Sequence, residues 1–255
     1  MSIKKVSVST STSVFGVVLD HLFRRKNLRY ISRINDFWVP FSEVRRYQKY
    51  DWIDGIPDQD TSKLAKVVDL VERRSCALDI GANIGTTATY LSRHFDTVHA
   101  FEPAPDLYEA LRRNLEKYPQ AVAHKCAVGG KLGSTNLTLY TKHGQTSHVE
   151  SEKTIDAEHI TVGPITVRTI DSLKIPQVDF IKIDVEGFES PVVEGALETI
   201  KHHKPLIMIE QAANDENTFG FRKDQASEIL RSLGMVEHPN APANMRKDRL
   251  FIFPT

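Results

Sequence analysis

"SCALDIGANIGTTATYLSRHF", residues 75–95, joins a short apolar run to an aspartate, two glycines and a stretch with helical spacing. "CALDI" reads as a buried strand, and Ile84, Ala88, Leu91 and Phe95 recur at the interval of one helix face. The residues between must form a tight strand-to-helix turn. Gly81 and Gly85 suit it because neither carries a Cβ, so backbone can approach closely there. In an open parallel sheet such turns lie at the carboxyl ends of the strands, where ligands bind.

The pattern continues on both sides of this stretch. "DTSKLAKVVDLVERR" places Leu64, Val67, Val68 and Val71 on one face, with Asp60 as a cap and two arginines in the last turn, and predicts a helix. "TVHAF" reads as a strand, "PDLYEALRRNLEKY" as a helix and "AVAHKCAV" as a third strand. "VDFIKIDV", "PLIMIE" and "DRLFIF" supply further strands. Between them lie one helix opened by Ser190 and Pro191 and carrying Val193, Ala196, Leu197 and Ile200, and another, "DQASEILRSLG", stopped by Gly234. Such alternation requires a parallel sheet with right-handed crossovers and helices on both faces. "STNLTLY" and "ITVRTI" alternate apolar and polar residues and predict a hairpin or paired edge strands, an insertion at about residues 130–175.

Composition narrows the function classes. A chain of 255 residues is long enough for one large domain, and 33 basic residues cancel 33 acidic ones, so no general field attracts nucleic acid. The first fifty residues, however, hold ten Lys or Arg against three Asp or Glu. We therefore divide the chain into a basic, helical N-terminal extension, residues 1–59, and a catalytic-sized domain, residues 60–255. Within the extension "SVFGVVLDHLFRRKNLRY" suits a short amphipathic helix that packs on the main domain, or else makes a peripheral membrane or partner contact. No run reaches the ~18 apolar residues needed to span a bilayer, and no signal-peptide cleavage pattern is present. Cys76 and Cys126 each sit in or beside an apolar strand and read as buried free thiols, which fits a reducing, cytoplasmic setting.

The ligand class follows from Glu102, which ends the second strand 21 positions beyond Gly81. A carboxylate there accepts hydrogen bonds from both hydroxyls of a ribose, so the site reads as one for a nucleoside. The dinucleotide spacing G-x-G-x-x-G is absent, and no P-loop lysine follows the glycines. With "AFEP", "CAVGG" and "FIKIDVEGFES" in order behind it, "DIGANIG" resembles the motifs of the FkbM family of class I methyltransferases over residues 76 to about 210. The resemblance implies a Rossmann-like, seven-stranded, mostly parallel sheet with a final antiparallel strand. It implies S-adenosylmethionine as donor and a hydroxyl acceptor on a sugar, glycoconjugate or polyketide-type product. It places Asp79, Gly81, Asn83, Gly85, Thr86, Glu102, Ala127 and Asp184 around the donor. The first sixty residues and the loop from 142 to 162 have no counterpart in it.

Deprotonating a hydroxyl needs a positioned base or a metal that lowers its pKa. If strand geometry persists through "DVE", Asp184 and Glu186 share a face, and Glu210 ends the next strand. Asp184 is the first candidate, as base or ligand; otherwise it holds backbone or the cofactor's amino group. Asp184 with Glu210 could also present oxygen ligands to magnesium, although nothing in the spacing requires a metal. His143, His148 and His159 fall in the unmatched loop as further candidate bases, whereas His99, His124, His202 and His203 read as structural. The N-P-P-Y or D-P-P-Y stretch of amino-group methyltransferases is replaced by "DVEG", which disfavours an amine or nucleic-acid acceptor. A cofactor-binding scaffold without turnover is the alternative from outside the enzymes.

Overall fold

The computed structural model describes residues 31–58, 61–140, 147–149, 159–211, 220–245 and 247–254. The amphipathic stretch at residues 15–22 and His143 lie outside them. Ahead of the main domain come β1 (Ile31–Ile34), β2 (Phe37–Pro40), a 3-10 turn at Phe41–Glu43, the short helix α1 (Val44–Tyr47), β3 (Trp52–Ile53) and β4 (Ile56–Pro57). Residues 31–57 are therefore two hairpins around one helical turn, where the sequence led us to expect helix. The reason is local. Asn35 and Asp36 take φ of 45° and 69°, and Asp54 and Gly55 take 50° and 75°, the two-residue turns with positive φ that match strand twist.

Helix α2 (Thr61–Val68) leads to β5 (Cys76–Ile80), α3 (Thr86–Leu91), β6 (Thr97–Phe101), α4 (Pro105–Leu115) and β7 (Ala121–His124). Strands β8 (Ala127–Val128), β9 (Gly133–Tyr140), β10 (Ser147–Val149) and β11 (His159–Arg168) form a separate four-stranded sheet, ordered β10-β9-β11-β8. Next come α5 (Ile170–Leu173), β12 (Phe180–Ile183), α6 (Glu189–Glu194), α7 (Leu197–His203), β13 (Leu206–Glu210), α8 (Gln225–Ser232), β14 (Val236–Glu237) and β15 (Asp248–Ile252).

The main sheet has seven strands in the order β14-β15-β13-β12-β5-β6-β7. From β13 to β7 every pairing is parallel, and β15 runs antiparallel to both β13 and β14. Two expected elements divide. "AVAHKCAV" gives β7 to the main sheet and β8 to the small one, and the helix expected from Ser190 breaks at Gly195 into α6 and α7. A Cβ on Gly195 would stand 2.1 Å from the Gly129 carbonyl, so the break lets backbone pass beside backbone. Helix α2 stops before its expected arginines, and Arg74 instead donates to the Val68 carbonyl at 3.0 Å, satisfying a helix-end acceptor.

Alternation along the strands fills two cores. Leu78, Ile80, Ile181, Ile183, Ile207 and Ile209 face α6, α7 and α8, while Ala77, Val98, Ala100, Phe180 and Met208 face α2, α3 and α4. A third cluster joins Phe37, Val39 and Tyr47 to Ile84 and Ala110, and so docks the N-terminal hairpins on the main domain. Buried Asn114 fastens that contact. Its Oδ1 accepts from the Trp38 amide at 2.6 Å, and its Nδ2 donates to the carbonyls of Trp38 and Ile84 at 2.8 Å each. Cys76 and Cys126 are buried free thiols, as expected. Among the described residues no helix is long and apolar enough to cross a membrane.

Both tryptophans, Trp38 and Trp52, belong to the docked hairpins, so intrinsic fluorescence reports on them. Replacing Asn114 by Ala leaves backbone groups without partners and is expected to cost about 1–3 kcal/mol. In urea titrations the fluorescence transition of the variant should fall to lower denaturant than that of the native protein.

Candidate active site

The site begins where β5 ends. The amides of Gly81 and Ala82 donate to the Phe101 carbonyl at 3.1 and 2.9 Å, turning the chain across the end of β6. Gly81 takes φ +85°, and a Cβ there would lie 1.8 Å from the Asp184 carbonyl oxygen, on the loop leaving β12. Asn83 follows at φ 53°, with Oδ1 accepting from the Ile84 amide at 2.8 Å and from the Tyr47 hydroxyl at 3.4 Å. Gly85, at φ +91°, precedes α3, and a Cβ there would meet Leu111 Cδ1 at 2.6 Å. Gly81 thus brings two strand ends together, whereas Gly85 serves the packing of α3 against α4.

Strand order reverses between β5 and β12, and a cavity of about 530 Å³ opens at their carboxyl ends. Phe101, Leu107, Ala127, Val128 and Leu137 contribute apolar surface, and Glu102 lines the same cavity. Burial pushes the Glu102 carboxyl up to about 8, although its oxygens accept from the amides of Ala104 at 2.8 Å and Asn83 at 2.9 Å. Each carboxylate oxygen can accept more than one hydrogen bond, so acceptor capacity remains for a ligand.

Elsewhere the lining is charged. Asp79 and Lys182 are register partners on β5 and β12, and both are buried. Asp79 is wholly enclosed beneath the turn and does not line the cavity. Neither of its oxygens has a hydrogen-bond partner among the described residues, and burial raises it to about 6 against the pull of Lys182. Lys182 Nζ donates to Asp184 Oδ2 at 2.8 Å. Burial alone would raise Asp184, yet the Lys182 charge and a hydrogen bond with Glu210 hold it below the usual carboxylate range. Glu210 keeps the proton of that pair, pushed up to about 9 by burial and by the negative Asp184.

Glu186 reaches the cavity by a route other than strand alternation. Regular strand geometry ends at Ile183, and Glu186 sits at φ 54° in a loop that turns back on itself. Buried Glu189 holds that loop: its Oε1 accepts from the Gly187 amide at 2.9 Å and the Val185 amide at 3.3 Å. Burial and the charges of Asp184 and Glu189 lift Glu186 to about 7, against Lys247 and Arg46. Gly81, Asn83, Thr86, Glu102, Ala127, Asp184, Glu186 and Glu210 therefore share one cavity, while Asp79 and Gly85 stand behind it. Arg46, Tyr50, Lys182 and Lys247 also line it. Of these only Lys182 carried a readable signal, two residues before Asp184 on a strand.

Among the described residues no group of three His, Cys, Asp or Glu side chains forms a metal site. The pair expected to present magnesium ligands is occupied instead, Asp184 with Lys182 and Glu210 with Asp184. His99 Nδ1 and His124 Nε2 pair at 2.9 Å within the sheet, and His124 stacks on Phe101, as suits structural residues. The backbone of His148 and His159 lies in β10 and β11.

Residues 79–240 match the methyltransferase FkbM domain, a stretch that holds the turn, the Glu102 strand and the Asp184–Glu210 pair. The chain belongs to the FkbM methyltransferase family. It is a methyltransferase of that type. Methyltransferase 1 of Beauveria bassiana is 28% identical over 201 residues, 68% of this chain and 78% of that protein. Hexuronic acid methyltransferase AglP of Haloferax volcanii is 30% identical over 146 residues, 54% of this chain and 56% of that protein, so the match spans little more than half of that relative. The crystal structure of methyltransferase FkbM from Methylobacillus flagellatus KT is similar at 20% identity and TM-score 0.46, over 71% of this chain and 44% of that one.

The two glycines of the turn are expected to respond differently to alanine. Gly81→Ala combines a strained φ with a backbone clash and should cost about 3 kcal/mol or more. Gly85→Ala meets the movable end of Leu111 and should cost about 1–3 kcal/mol. Thermal unfolding of the two variants beside the native protein measures the difference.

Proposed function

We propose that this FkbM-family chain is an S-adenosylmethionine-dependent O-methyltransferase acting on a hydroxyl of a sugar, glycoconjugate or related natural product. The observation that carries the reading is the position of Glu102. A buried carboxylate, held by two backbone amides, faces a cavity with apolar surface and acidic groups, at the strand ends where order reverses. That combination fits a donor made of an adenine, a ribose and a cationic sulfur. Glu102 takes the ribose hydroxyls, Ala127 and Val128 offer apolar surface to the base, and the Gly81 turn admits the chain beyond the ribose. Asp184, held ionised by Lys182, fits the amino group and favours positive charge nearby.

S-adenosylmethionine supplies an electrophilic methyl group on a sulfonium. The protein's own task is to align an acceptor oxygen and take its proton. A base works best when its pKa lies near the operating pH. Glu186 at about 7 meets that condition. Asp184 is held too low, and Glu210 at about 9 is already protonated near neutral pH. We therefore assign the proton to Glu186 and give Asp184 and Glu210 the positioning of the donor. A sugar acceptor is supported by the likeness to a hexuronic acid methyltransferase.

Calorimetric titration should give saturable binding of S-adenosylmethionine and none of NAD. Above pH 8, where Glu102 is ionised, Glu102→Ala should weaken that binding by about 1.5–3 kcal/mol, the range for hydrogen bonds to a charged group. Absence of S-adenosylmethionine binding in the native protein would overturn the reading. With a uronic-acid glycoside as acceptor, kcat/KM should rise with pH through about 7 as Glu186 loses its proton. Glu186→Gln should lower activity and flatten that limb, and an unchanged profile would remove Glu186 from the role of base.

A further inference from the structure

Residues 31–57 precede the stretch that matches the FkbM domain, yet two of their side chains, Arg46 and Tyr50, line the same cavity as Gly81 and Glu102. Arg46 is held by partners on its own segment. Its Nε donates to the Tyr50 hydroxyl at 3.1 Å, and its guanidinium lies over the rings of Tyr47 and Tyr50, 5.6 and 5.9 Å from their centroids. Glu43 makes a longer ion pair with it, 3.6 Å from Nη1. The planar fork retains N–H donors while the two rings restrict its motion.

The neighbouring residue fixes where that fork stands. Tyr47 is fully buried and reaches Asn83 on the β5 turn with its hydroxyl, so the backbone beside Arg46 is tied to the turn itself. Of the cations lining the cavity, Lys182 is committed to Asp184 and Lys247 is an exposed residue just before β15. Arg46 is the one whose neighbour bonds the glycine turn.

We propose that Arg46 binds the carboxylate of the donor's amino-acid end, so that the segment ahead of the family domain completes the donor site. The inference rests on the S-adenosylmethionine reading above. That donor carries an α-ammonium and an α-carboxylate on adjacent bonds, and the polar side of the cavity offers both signs, Asp184 for the first and Arg46 for the second. A guanidinium matches a carboxylate with two parallel N–H groups, which a lysine cannot reproduce.

The test uses two ligands that differ only in the carboxylate: S-adenosylmethionine and decarboxylated S-adenosylmethionine, titrated into the native protein and into Arg46→Met. The native protein should bind the complete donor on the order of 10- to 100-fold more tightly than the decarboxylated one. Arg46→Met should lose most of that preference while binding decarboxylated donor as the native protein does, which also shows the variant folded. Arg46→Lys should restore only part of the preference. An equal fall for both ligands would assign Arg46 to scaffolding alone, and a preference retained in Arg46→Met would place the carboxylate elsewhere; either result overturns the proposal. Failure of the native protein to bind either ligand would instead remove the donor reading on which it rests.

Discussion

The contact between the Gly81 backbone and the Asp184 carbonyl sets the geometry of everything around the cavity. Strands β5 and β12 are parallel neighbours, and their ends meet only because no Cβ occupies the 1.8 Å between that position and the carbonyl oxygen. With the ends in contact, the turn after β5 falls across β6 and presents its amides to Phe101 and Glu102. The loop after β12 brings Asp184 and Glu186 to the same cavity. A single missing side chain thus lets Glu102 and the acids of the loop after β12 line one cavity.

The charges around that contact form one graded system. Lys182 is the only buried cation directly bonded to the Asp184–Glu210 pair among the described residues, and it lowers the first carboxylate. The proton excluded from Asp184 then belongs to Glu210, and Glu186, raised by burial and by the charges of Asp184 and Glu189, settles between them. Three chemically similar side chains thus differ in proton affinity because burial raises all three and only Asp184 is bonded to an ammonium. Asp79, wholly buried beside Lys182, adds a further carboxylate to this cluster and keeps negative potential beneath the turn.

Much of this was legible in the chain. The glycine turn, Glu102 and the strand-ending acids followed from periodicity and spacing, since a buried parallel strand and the helix after it impose strong local patterns. Residues 31–57 escaped that reading: Asn35–Asp36 and Asp54–Gly55 were local hairpin signals, yet the amphipathic spacing at residues 15–22 was extended to the whole basic segment. Glu189 escaped as well, because a carboxylate that reaches back to two amides looks like any acidic residue in a helix's first turn. The expectation for Glu186 reached the right cavity through the wrong geometry, as alternation ends at Ile183 and a left-handed residue, not a strand, aims it.

By itself the sequence determined the alternating architecture and the turn that needs Gly81, because each depends on short-range steric and periodic constraints, and its ordered motifs carried the resemblance to the family. The tertiary structure alone decided that Arg46 and Tyr50 stand in the cavity with Gly81 and Glu102, that Asp79 and Gly85 stand behind it, and how burial and neighbouring charge set the acids apart. These are matters of distance between segments far apart in the chain, and burial and charge act through space rather than along the backbone.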